Sequence, residues 1–139
     1  MVFEAPDIPG AQEVIAWFGY WPTFHDAEVL SISLDRRSGC RVSIFAFEMT
    51  PEVDSQGRYV LAKHAVVTFS MEDFPADDGG MSNTRIESFN RQNALSSAIV
   101  NKQPHGFELL LEGVYGVGAS IVCERMSVSV VPGAPRDAP

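Results

Sequence analysis

Positive charge is scarce in this chain. Ten Lys and Arg stand against eighteen Asp and Glu, a formal net charge of −8 over 139 residues. A nucleic-acid binder needs a basic face to neutralise phosphates, so no nucleic-acid partner is expected. Long apolar runs are missing too, and none approaches the roughly 20 residues of a membrane-spanning helix. The opening "MVFEAPDIPG" has neither a basic n-region nor an apolar h-region, so no secretory leader is expected. Cysteine is limited to Cys40 and Cys123, too few for a disulfide framework and too far apart for a metal-ligand spacing. These absences point to a cytoplasmic protein with reduced thiols and no membrane partner.

Catalytic signatures are lacking as well. His25, His64 and His105 are widely separated, and no HxH, HExxH or CxxC pattern is present. There is no GxSxG elbow and no P-loop. "GVYGVGAS" lacks the strand-to-helix setting of a dinucleotide fingerprint, so its glycines suit a hairpin turn or a bulge. Neither cysteine has a nearby His or helix N-terminus to lower its thiol pKa. No metal, cofactor or covalent nucleophile is expected.

What is present is a soluble globular composition, with 45% hydrophobic and 20% charged residues. No internal repeat occurs, so residues 1–139 read as one domain with the Pro-rich 133–139 as a disordered tail. "GAQEVIAWFG" places Val14, Ile15, Trp17 and Phe18 at helical spacings, and Gly19 sits where a helix stops. Strand patterns dominate after it. Residues 27–35 alternate, with Leu30, Ile32 and Leu34 on one face and Ser31 and Ser33 on the other. Residues 41–49 are apolar on both faces, as a central strand would be. Residues 58–71 form a long strand with Ala65, Val67, Phe69 and Met71 in phase. "EDFPADDGGMSN" reads as loop, and 94–100 suits either helix or strand. Residues 107–112 and 119–131 read as strands, and a phase slip in the second predicts a bulge near Glu124 and Arg125. The fold class is α+β, mainly β: one N-terminal helix packed on a mostly antiparallel sheet of five to seven strands.

Two constellations invite a functional reading. In "YWPTFHDAEVLSISL", His25 and Asp26 are adjacent and Glu28 lies two residues further on. Adjacent residues of an extended chain point to opposite faces, so Asp26 would not orient His25 as a base. Asp26 and Glu28 share the parity of the core face, where unpaired carboxylates are costly. The strand therefore starts near Ala27 or Glu28, or a bulge re-aims the carboxylates. The bland expectation is that His25 and Asp26 bond to backbone where a loop enters a strand. The second constellation is "MEDFPADDGG", where Glu72, Asp73, Asp77 and Asp78 surround Phe74. It does not follow the EF-hand ligand order. It reads as a solvated loop or as a docking element for a basic protein surface.

"WPTFHDAEVLSISLDR" resembles the signature of the immunity protein 50 family, associated with bacterial polymorphic toxin systems. The aromatic-rich helix upstream, "FNRQNALSSAIV" and the closing "GASIVCERMSVSVVP" extend the similarity over most of the chain. The resemblance implies a non-enzymatic protein that binds and neutralises a cognate toxin. A signature shared by proteins facing different toxins would maintain the fold, so Trp21, Pro22, Phe24, His25, Asp26 and Glu28 are expected to be structural. Partner recognition then falls to the loops: Glu72, Asp73, Phe74, Asp77 and Asp78, with Asp54 nearby, against a basic toxin domain. The competing expectations are a small hydrolase or metal-dependent enzyme using His25, Asp26 and Glu28, and a β-rich binding module without a toxin partner. The oligomeric state is left open.

Overall fold

The computed structural model describes residues 4–75, 80–87, 94–114 and 116–135. The expected helix is α1, Ala11–Phe18. It buries Ala11, Val14 and Phe18, one stripe at helical spacing. Gly19 ends it in a left-handed conformation (φ 89°), with its N–H on the Ile15 carbonyl. Eight residues are too few to hold a helix alone, and packing against the sheet supplies the rest.

Among the described residues eight strands come after it: β1 Glu28–Asp35, β2 Gly39–Val53, β3 Tyr59–Glu72, β4 Gly80–Ile86, β5 Leu95–Gln103, β6 Gly106–Gly113, β7 Val117–Cys123 and β8 Arg125–Pro132. The fold is α+β and mainly β, as the pattern predicts, with eight strands rather than five to seven. They form two antiparallel sheets instead of one. Sheet A has the order β1-β2-β3-β8 and sheet B the order β4-β7-β6-β5. Residues 94–100, ambiguous in pattern, are strand. β4 lies partly within a stretch that reads as loop, because Gly, Ser and Asn carry little strand signal.

The inward residues of both sheets belong to one core. Val42, Ile44 and Ala46 of β2 face it with Ala65, Val67, Phe69 and Met71 of β3, and Leu109, Leu111, Ala119 and Ile121 contribute from sheet B. The phase slip around Glu124 is a corner, not a bulge within one strand. β7 ends in sheet B at Cys123, and β8 starts in sheet A at Arg125. The Glu124 N–H donates to the Asp73 carbonyl at the turn.

The open edge of β8 is covered by the chain entering α1. The Val128 N–H donates to the Pro9 carbonyl at 2.9 Å. Gly10 (φ 92°) comes so close that a Cβ would fall 1.6 Å from the Val128 oxygen, so only glycine fits. Covering an edge in this way removes a template for unwanted strand pairing.

Candidate functional site

The family-like segment is built around an aromatic cluster. Trp21 and Phe24 are 5% and 3% exposed and make edge-to-face contacts with each other and with Phe69 of β3. Pro22 is buried beside them. Phe24 and Asp26 both adopt left-handed backbone (φ 62° and 63°), and the Ala27 N–H closes a turn onto the Phe24 carbonyl. The extended geometry assumed for this stretch therefore does not hold. Instead of facing apart, His25 and Asp26 come together, with Nε2 to Oδ2 at 3.6 Å, longer than a hydrogen bond. His25 Nδ1 lies 3.1 Å from the Ser96 carbonyl of β5. The Asp26 N–H donates to the Leu95 carbonyl. His25 and the Asp26 backbone thus bond to main chain at the loop-to-strand junction.

The collision of the carboxylates with the core is resolved by two devices. β1 begins at Glu28, and its pairing with β2 slips between Val29 and Ser31. That bulge at Leu30 makes Val29 the buried residue and leaves Glu28 opposite Phe45 on the outer face of sheet A. Of the three predicted inward residues, Ile32 packs against the core, Leu30 occupies the bulge, and Leu34 is exposed near the strand end.

The second constellation divides. Glu72 and Asp73 both engage Arg125 of β8, at 2.8 and 2.5 Å. Those carboxylates, Asp73 foremost, hold the Arg125 proton above its ordinary affinity. Phe74 is 39% exposed. Asp77 and Asp78 lie outside the described residues. Asp54 shapes the β2–β3 turn, with Oδ1 accepting from the Gln56 and Arg58 N–H groups at 2.8 and 3.0 Å. The structure thus gives Glu72, Asp73 and Asp54 intramolecular bonds, and Asp54 and the Glu72–Asp73 pair lie at opposite ends of β3.

The outer face of sheet A carries a feature that pattern reading assigned to burial. Val131, Val66 and Phe45 are cross-strand neighbours in one row. His64 stacks on Phe45 (centroids 5.6 Å apart) and lies against Phe47. Met49 pairs with Leu61 further along the hairpin. Met49, Leu61 and Val131 are 50%, 40% and 63% exposed, so among the described residues no element covers this stripe. Its signal was the apolar character of both faces of 41–49, which a doubly buried strand would share.

Among the described residues no three His, Cys, Asp or Glu side chains are grouped to hold a metal. Cys40 and Cys123 are free and buried in the core. A cleft of about 520 Å³ opens beside β5, and His25, Asp26 and Glu28 are not in its lining. No family model matches the chain, and no curated protein or solved structure matches it. No described helix is long and apolar enough to cross a membrane.

Proposed function

We propose that this chain is an immunity protein that binds and neutralises a cognate toxin domain by protein–protein contact, without catalysis of its own. The observation that carries it is the uncovered apolar stripe on sheet A, from Val131 through Val66, Phe45 and His64 to Met49 and Leu61. Aromatic and aliphatic side chains held on a rigid sheet expose area at low entropic cost, which suits an interface centre. The resemblance of "WPTFHDAE" to the immunity protein 50 signature points to the same class. The formal charge of −8 favours a basic partner by steering its approach. Within this reading the carboxylates of Glu72, Asp73, Asp77, Asp78 and Asp54 add to the negative charge that steers the partner, with Phe74 as an apolar anchor. The chain acts in the cytoplasm of the producing cell.

The test is a titration with the purified product of the gene immediately upstream. The expected result is a stoichiometric complex that suppresses the toxin's activity and is weakened at least tenfold by Leu61→Asp or Met49→Asp. Both positions are exposed, so the variants should keep the wild-type circular dichroism. Absence of a complex would overturn the function. Unchanged affinity in both variants would overturn the docking surface.

A further inference from the structure

We propose that the second half of β5 is a docking edge for an extended peptide segment of the partner, which would add a fifth strand to sheet B. Its first half is already extended in this way by the family-like segment. The Leu95 N–H donates to the Ala27 carbonyl, the Leu95 carbonyl accepts from Asp26, and the Ala98 N–H donates to the Thr23 carbonyl. Glu28 forms an antiparallel bridge with Ala94. Pro22, which has no N–H, is where this ladder stops.

The outward N–H of Ala98 sets the parity of the later β5 residues. In an antiparallel pair, residues alternate between bonding the neighbour and facing away from it. Ile99, Asn101 and Gln103 therefore bond to β6, opposite Leu110, Glu108 and Gly106. Val100 and Lys102 turn their backbone groups outward. Among the described residues nothing bonds to them there.

The cleft of about 520 Å³ lies along this edge. Two runs of consecutive residues line it, Ile99–Lys102 and Glu4–Asp7, with Trp21 and Phe107. Side chains of a strand alternate between sheet faces, so four consecutive residues line one cleft only through the strand's edge. The four β5 residues in the lining span roughly 13 Å at about 3.3 Å per residue. The β8 edge is covered at Val128, whereas this one faces the cleft.

The walls define the occupant. Trp21 and the half-buried Phe107 offer apolar contact, and the charged residues of the lining are two carboxylates, Glu4 and Asp7, and one cation, Lys102. An extended segment alternating apolar and basic side chains satisfies both, and the backbone ladder supplies sequence-independent affinity. The inference rests on the protein-binding reading for the source of the peptide, not for the docking edge.

Amide hydrogen exchange on the whole chain tests it, with a capped hexapeptide of alternating valine and lysine as the probe. In the free protein, Val100 and Lys102 should exchange at least a hundredfold faster than Ile99 and Asn101. Saturating peptide should slow Val100 and Lys102 at least tenfold. Protection of both amides in the free protein, or no slowing with peptide, would overturn the proposal. Lys102→Pro removes an outward donor without touching a β6 bond, so Ile99 and Asn101 should stay protected while the peptide's effect on Val100 disappears. Persistence of that effect would also overturn it. With the upstream gene product, a complex that leaves Val100 and Lys102 fast refutes the docking edge and spares the binding function. Peptide protection without any such complex refutes the binding function and spares the docking edge.

Discussion

At the scale of single residues, the segment that looked catalytic divides into side chains that hold the core and side chains that serve a turn. Trp21→Ala or Phe24→Ala should cost about 3–5 kcal/mol in denaturant unfolding, the range for deleting a buried aromatic. His25→Ala removes one exposed bond to the Ser96 carbonyl and should cost about 1 kcal/mol or less. Asp26→Gly should be neutral or slightly stabilising, because glycine adopts φ 63° without the Cβ clash. A large loss in that variant would mean that the Asp26 carboxylate matters to the fold. The identity of these residues was legible in the sequence, and their geometry was not. Parity holds only for extended chain, and neither Phe24 nor Asp26 announces a left-handed conformation by residue type as glycine would. The core thiols make a second prediction. Burial, with Cys40 nearby, pushes Cys123 up to about 11 from its ordinary 9.0. The folded chain holds this proton more tightly than the unfolded one, so the stabilisation is complete below pH 9 and lost as pH rises towards 11. At about 1.4 kcal/mol per tenfold change in proton affinity, the loss is roughly 3 kcal/mol. Unfolding of wild type and Cys123→Ala at about pH 8 and about pH 10.5 should show the stability gap narrowing at the higher pH.

At the scale of elements, the C-terminal end of α1 is anchored by one residue of β3. Lys63 (φ 55°) sits where the β2–β3 register shifts between Ala46 and Glu48. Its carbonyl accepts from Trp17 Nε1 at 2.9 Å, and its ammonium donates to the Phe18 carbonyl at 2.8 Å. A cation at the helix C-terminus satisfies an orphan carbonyl and complements the dipole. Lys63→Met should therefore cost about 1 kcal/mol, with the loss of protection confined to α1 in hydrogen exchange. If protection fell equally in β2 and β3, Lys63 would be acting on the hairpin instead. The helix itself could be read from spacing and Gly19. Its anchor could not, because a lysine in a strand pattern reads as a solvated side chain.

At the scale of the whole molecule, one feature of the pattern carried two meanings. The apolar faces of 41–49 suited a strand buried on both sides, but β2 lies in a sheet with only its inner face on the core. The outer face then becomes the stripe of Phe45, Phe47 and Met49. Sheet number was equally hidden, since the break at Glu124 occupies one residue and local periodicity does not distinguish a bulge from a corner. Local patterns gave most of the strands, with β4 missed and β5 ambiguous, while the pairing that decides which face meets solvent is long-range. The central claim is that this exposed apolar face of an acidic chain captures a basic toxin domain. It is tested most directly by the association rate with the purified upstream gene product, measured by stopped flow at low and high salt. The expected result is a fast association that slows at least tenfold between about 50 and 500 mM salt, as screening removes steering across the Debye length. No association at either salt would contradict the claim.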